Sequence, residues 1–192
     1  MPRLFTGIEI PPQVCERLSG LRGGLCGARW IDPENYHLTL RFLGDINEKV
    51  ADDVADLLSR VHRHAFTITL DGLGMFGGKR PRAIFAGVRA DRDLMALQAE
   101  HEQLMQRAGL APEQRRYTPH VTLARLRAAR PNAVAAYLES RGGFFSTPIE
   151  VTRFVLFSSQ PSRGGGPYLV EESYPLETRG REQDGLRQGA NR

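Results

Sequence analysis

His37-Leu38-Thr39-Leu40 and His120-Val121-Thr122-Leu123 are one tetrapeptide pattern written twice, with the two histidines 83 residues apart. Successive side chains of a strand point to opposite faces. If each tetrapeptide is a strand, His37 and Thr39 share one face and Leu38 and Leu40 the other, and the same holds for His120 and Thr122 against Val121 and Leu123. The apolar residues then anchor each strand in a core, while an imidazole and a hydroxyl from each half look into one space between the halves. An imidazole gains or loses its proton at about pH 6.5, so two of them can divide general base and general acid work. A threonine hydroxyl donates a hydrogen bond without bringing charge, which suits a non-bridging phosphate oxygen whose negative charge grows during in-line displacement. That set needs no metal. Paired histidines also serve zinc, but the compact patterns that mark such sites, His-Glu-x-x-His or Cys-x-x-Cys, are absent. A solvated strand face is the competing reading of one such tetrapeptide, and a second copy with matched apolar flanks argues against it.

The repeat extends outward. Leu4-Phe5-Thr6-Gly7-Ile8 and Ile84-Phe85-Ala86-Gly87-Val88 each read as an apolar strand with glycine at the same place; Gly7 precedes His37 by 30 residues and Gly87 precedes His120 by 33. Between them, Val14, Leu18, Leu21 and Leu25 in the first half and Leu94, Leu97, Leu104, Met105 and Ala108 in the second recur near the helical period. The halves read as one β-α-β unit duplicated. Along the rest of the chain, the first helix is expected from Pro12 to about Leu25, and Trp30 and Ile31 approach the His37 strand. Asn47 is an N-cap for a helix over Val50, Val54, Leu57, Leu58 and Val61. Ala65 to Leu73 alternates as a strand, Gly77 to Arg82 is a basic turn, Asp91 caps a helix to Gly109, and Pro131 opens another to about Leu138. Two strands follow, Ile149 to Phe157 and Tyr168 to Leu176, joined by residues 161–167. Interleaved hairpins and helices predict an α+β fold with mainly antiparallel pairing.

Composition sets bounds on this reading. The chain has 192 residues, 41% hydrophobic and 25% charged, which is ordinary for a globular protein with a real core. No apolar run approaches the ~18 residues of a membrane span, and no signal-like segment opens the chain, so a cytoplasmic protein with no membrane partner is expected. Cys15 and Cys26 then read as reduced thiols. The net charge is +4, but residues 179–192 carry four arginines against two acids and almost nothing apolar; they read as a disordered tail. The body, residues 1–178, reads as a single bilobed domain of low net charge, so basic residues must be argued by position rather than from composition.

Arg3 to Ile8, Trp30 through His37-Leu38-Thr39-Leu40-Arg41-Phe42-Leu43-Gly44, Tyr117-Thr118-Pro119-His120-Val121-Thr122-Leu123-Ala124-Arg125, and more weakly Phe154 to Ser159 with Gly166-Pro167-Tyr168, resemble the two-histidine (2H) phosphoesterase superfamily. Within it the chain most resembles the bacterial and archaeal RNA 2',3'-cyclic phosphodiesterases, also called 2'-5' RNA ligases, over about residues 3 to 176. The resemblance implies two pseudo-symmetric lobes, each a mainly antiparallel sheet with helices outside, and a cleft lined by both motif strands. It implies hydrolysis of an RNA end closed as a 2',3'-cyclic phosphate to a 2'-phosphate, with no cofactor and no metal, and in reverse a 2'-5' ligation. His120 is assigned as the general base and His37 as the general acid, an order that a two-fold site can reverse. Thr39 and Thr122 are expected to hold the phosphate, and the resemblance implies that Phe42 stacks on the terminal base and that Arg125 contacts the phosphate. A monomer is expected.

Phe42 and Arg125 each lie five residues beyond a histidine, and simple alternation puts an offset of five on the opposite face. Each strand must end, twist or bulge for those roles to hold; otherwise Phe42 is a core aromatic and Arg125 a solvated strand end. By the same parity Arg41 shares the His37 face, near the phosphate or in a rim salt bridge. Lys79, Arg80 and Arg82 are a solvated turn or a contact for the RNA backbone, and Tyr168 lines the cleft or packs. His101 reads as a half-buried helix residue, and His62 and His64 as surface residues. A small cyclic nucleotide or ADP-ribose cyclic phosphate is the alternative substrate, and a non-catalytic RNA-end binder the alternative class.

Overall fold

The computed structural model describes residues 3–159 and 166–178. In chain order its elements are β1 (Arg3–Glu9), α1 (Pro12–Ser19), β2 (Ala28–Trp30), a 3-10 turn (Pro33–Asn35), β3 (His37–Asp45), α2 (Glu48–Leu58), β4 (Phe66–Ile68), β5 (Leu70–Phe76), β6 (Ala83–Val88), α3 (Arg92–Arg107), β7 (His120–Leu126), α4 (Pro131–Arg141), β8 (Ile149–Val151), β9 (Arg153–Ser159) and β10 (Tyr168–Pro175). Most of the segment expected to join the last two strands, and the expected tail, lie outside the described residues.

Among the described residues, eight strands form one sheet in the order β10-β9-β1-β3-β7-β6-β5, with β2 pairing beside β7; β4 and β8 make a separate two-stranded sheet. All pairings between these strands are antiparallel. The two halves meet where β3 lies beside β7, and there the register holds a single pair, Leu38 with Val121. From that junction β3 and β7 run in opposite directions, so the halves share a sheet yet splay apart as two pseudo-symmetric lobes.

Alternation sorts the sheet's two faces. Leu4 and Ile8 of β1, Leu38 and Leu40 of β3, Ile84 and Ala86 of β6, and Val121 and Leu123 of β7 are buried in one core with the apolar stripes of the four helices, including Val14, Leu18, Val54, Leu58, Leu94, Leu97, Met105 and Val134. The helices are therefore confined to one face. On the other, Phe5, Val155 and Phe157 form a smaller cluster with Tyr168 against it. The expected caps are present: Asn47 accepts from the Val50 amide at 2.9 Å and Asp91 from the Leu94 amide at 2.8 Å, each satisfying an otherwise orphaned helix donor.

The boundaries differ where long-range pairing overrides local pattern. α1 ends at Ser19 rather than Leu25, because Gly23 and Gly24 take φ of +95° and +72° and turn the chain. The expected strand from Ala65 to Leu73 is two strands, β4 in the small sheet and β5 in the large one. The expected strand from Ile149 to Phe157 likewise divides at Thr152 into β8 and β9, which belong to the same two sheets. Trp30 closes a short strand, β2, paired to β7. The repeat is also offset: Gly7 pairs with Thr39, whereas it is Phe85, not Gly87, that pairs with Thr122. A shift of two leaves every side chain on its original face, so the repeat read correctly by face and wrongly by position.

Candidate active site

β3 and β7 each carry a bulge at the same place. Thr6 pairs with Arg41 and Gly7 with Thr39, leaving Leu40 as the extra residue; Ile84 pairs with Ala124 and Phe85 with Thr122, leaving Leu123 extra. One extra residue reverses the alternation beyond it. Leu40 and Arg41 are consequently both buried, as are Leu123 and Ala124, while Phe42 and Arg125 turn to the face of the histidines. Phe42 is 53% exposed and is not a core aromatic. Its ring lies 5.6 Å from that of Phe5, which in turn lies 4.9 Å from the His37 ring.

The same bulge removes Arg41 from the cleft face. Arg41 is buried, with Nε 2.5 Å from Glu102 Oε2, Nη2 donating to the Ala111 carbonyl at 2.6 Å, and Nη1 donating to the Phe42 carbonyl. It ties β3 to α3 and to the segment leading into β7: the expected salt bridge forms, but with a partner on α3 and away from the cleft face.

The two imidazoles are held identically. His37 Nδ1 lies 2.8 Å from the Asn35 carbonyl and His120 Nδ1 2.6 Å from the Thr118 carbonyl, each two residues back. A carbonyl only accepts, so each Nδ1 carries the proton and each Nε2 is the titrating nitrogen. Asn35 does more: its side-chain Oδ1 accepts from the Tyr168 amide at 3.1 Å, bringing that ring edge-on to His37 at 4.8 Å. Phe5 and Phe157 complete the aromatic wall around His37. Phe76, edge-on at 4.7 Å, and Phe85 at 5.3 Å play the same part for His120. Asn35, Thr118, Phe5, Phe76, Phe85 and Phe157 escaped the sequence reading. The tethers from residues 35 and 118 are backbone carbonyls, so no residue type marked them in the sequence.

These walls bury much of each ring, and burial disfavours the charged imidazole. Burial, with further contributions from His120 and Arg125, lowers the His37 pKa to about 4. Burial also lowers that of His120. Both rings are thus neutral at pH 7 in the free protein. Thr39 and Thr122 lie on the same face, and among the described residues neither hydroxyl has a hydrogen-bond partner, leaving both able to donate. Tyr117 Oη donates to the Thr39 carbonyl at 3.0 Å, fixing the approach to β7 against β3.

The remaining titratable groups lie elsewhere. His101 is fully buried rather than half-buried, and His62 and His64 sit on the surface beside Glu177. Cys15 is buried, with its thiol pushed up to about 11 by that burial, which suits packing rather than nucleophilic attack. Among the described residues no group of three or more His, Cys, Asp or Glu could hold a metal ion, and no helix is long and apolar enough to cross a membrane.

A LigT-like phosphoesterase family model matches residues 8–85 and 88–168. An RNA 2',3'-cyclic phosphodiesterase of Aeropyrum pernix is 33% identical over 79% of this chain and 90% of its own length. The enzyme of that name from Escherichia coli is 30% identical over 91% and 96%. The crystal structure of E. coli LigT complexed with 3'-AMP superposes with a TM-score of 0.77 at 27% identity, over 92% of this chain and 99% of that one.

Proposed function

Since the chain belongs to the LigT-like phosphoesterases of the two-histidine superfamily, we propose that it opens RNA 2',3'-cyclic phosphate ends to 2'-phosphates. The observation that carries this reading is the pair of imidazoles with protonated Nδ1 and free Nε2 on one cleft face. Thr39, Thr122 and Arg125 donate to the non-bridging oxygens, whose charge grows as the attacking oxygen adds to phosphorus. His120 Nε2 takes a proton from water; His37 Nε2 gives one to O3' as the P–O3' bond breaks. His37 is a weak base in the free protein, so it takes up a proton from solvent as the substrate binds: an anionic phosphodiester beside it offsets the Arg125 field and favours the imidazolium. Phe42, carried to the cleft face by the bulge, stacks on the terminal base without reading its identity.

With an RNA 5'-hydroxyl in place of water, the same proton transfers form a 2'-5' phosphodiester. The relatives' names support the cyclic phosphodiesterase reading, and the 3'-AMP held by the E. coli structure supports a nucleotide end as ligand. The test is incubation with an RNA ending in 2',3'-cyclic phosphate, chelator present, and assignment of the product phosphate to O2' or O3'. A 2'-phosphate product is expected. A 3'-phosphate product would reverse the leaving group; activity confined to small cyclic nucleotides or ADP-ribose cyclic phosphate would move the substrate; a need for added metal would make the histidines ligands.

A further inference from the structure

The two ends of the cleft carry opposite charge. At the second lobe, the Gly77–Arg82 turn begins one residue after Phe76, whose ring meets His120 at 4.7 Å. The turn is held in shape: the Arg82 amide donates to the Phe76 carbonyl and the Leu126 amide to the Arg82 carbonyl, both at 2.7 Å. Gly77 has φ of +105°, and a Cβ there would collide with the backbone of Arg80 and Arg82, so only glycine fits. Ala83, next to Arg82, pairs with Arg125 across the sheet. Lys79, Arg80, Arg82 and Arg125 are all exposed, and none of the four has a carboxylate partner among the described residues. Arg3, Arg22, Arg41, Arg63, Arg89 and Arg153, by contrast, each have one.

At the first lobe the opposite holds. A cavity of about 610 Å³ opens beside His37, walled by Glu9, Glu16, Glu34, Tyr36, Phe157 and Tyr168, and among the described residues no lysine or arginine lines it. Arg153 neutralises Glu9, but Glu16 and Glu34 have no basic partner among the described residues. Like charges at this mouth raise the energy of a phosphate there, while four free cations at the other lower it, over a range set by the Debye length, about 8 Å at physiological salt.

We infer that the RNA strand behind the reacting end leaves the cleft in one direction only, over Arg125 and the Lys79-Arg80-Arg82 turn, and that the acidic mouth beside His37 turns its phosphates away. This rests on the functional reading above and adds a direction and a second contact surface to it. The turn lies beyond Phe76, outside the ring that meets His120, so on this path it separates an oligonucleotide from a mononucleotide.

The test compares a six-nucleotide RNA ending in 2',3'-cyclic phosphate with the matching nucleoside 2',3'-cyclic phosphate, using the full chain. Arg80→Ala/Arg82→Ala should lower kcat/KM for the oligonucleotide about tenfold more than for the mononucleotide. It should also flatten the log–log salt dependence of the oligonucleotide by about 1.4, at ~0.7 for each phosphate contact on a single strand. Glu16→Gln/Glu34→Gln should change the ratio between the two substrates by less than about twofold, since phosphates already avoid that mouth. Equal losses on both substrates in the arginine variant, or a rise of tenfold or more in the oligonucleotide's relative rate in the glutamine variant, would overturn the path. Failure of the unaltered protein to hydrolyse either compound would instead fail the functional reading itself.

Discussion

Thr6 Oγ1 and His101 Nδ1 meet at 2.9 Å in the interior, joining β1 to α3 across 95 residues of chain. Neither residue has measurable exposure. Phe154 packs edge-on against the imidazole at 4.6 Å, and burial lowers the His101 pKa to about 3. The imidazole is thus a neutral core group whose polar atom needs a partner. Removing the hydroxyl alone, as in Thr6→Val, should cost about 1–3 kcal/mol of stability, read from urea midpoints at pH 7; no change would mean that the pair contributes nothing.

The same histidine sets an acid limit. Its pKa is lower folded than unfolded, so protons bind the unfolded chain more tightly, and stability is full above about 6.5 and falls as pH drops toward 3. His37, lowered to about 4, acts in the same sense. Melting temperature should therefore decline from pH 6.5 to 4, and His101→Leu should flatten that decline whatever it does at pH 7. An unaltered slope in His101→Leu would assign the acid limb to other groups.

His37→Ala and His120→Ala should each lower turnover of a 2',3'-cyclic phosphate end by roughly 10²–10⁴-fold, the range for one general acid or base, with melting temperatures close to the parent because both rings face the cleft. Thr39→Ala and Thr122→Ala should each cost less than the ~10²–10³ of a sole oxyanion donor, since the proposed site divides the charge among two threonines and Arg125. Near-full turnover in either histidine variant would remove it from the chemistry.

Activity against pH offers a separate check. The proposed proton transfers need one imidazole charged and the other neutral, and both pKa values lie below the ordinary value in the free protein. The profile of kcat/KM, which reports the free enzyme, should be bell-shaped with its optimum between about 4 and 6.5. Above that window it should fall about tenfold per pH unit, as the charged imidazole is lost. The limbs of kcat should lie higher, because bound phosphate favours the imidazolium. A kcat/KM that climbs from pH 7 to 9 would contradict the buried environment of both rings.

Phe42→Ala distinguishes base stacking from packing. At 53% exposure the ring contributes little to the core, so stability should change by no more than about 0.5 kcal/mol, as at surface positions. Substrate binding should weaken by about 1–3 kcal/mol, the worth of one stacked base, seen as a rise in KM. A large fall in melting temperature with KM unmoved would return Phe42 to a structural role.

The amino-acid sequence alone determined the alternation within each His-x-Thr strand, the helix stripes, the Asn47 and Asp91 caps and the duplication, because each follows from side chains and backbone within a few residues of one another. Tertiary structure decided what depends on a partner strand. A bulge exists only relative to the register across from it, so the extra residues Leu40 and Leu123, which bring Phe42 and Arg125 to the cleft and bury Arg41, could not be read from β3 or β7 by themselves. The divisions at Thr69 and Thr152 arise the same way, from a change of sheet that local alternation does not record. The tethers on His37 and His120 are backbone carbonyls, which every residue type carries, so residue identity at 35 and 118 could not announce them. Thr6 and His101, a polar residue on a strand and another on a helix, became a pair only when the folded core left each with the other as its partner.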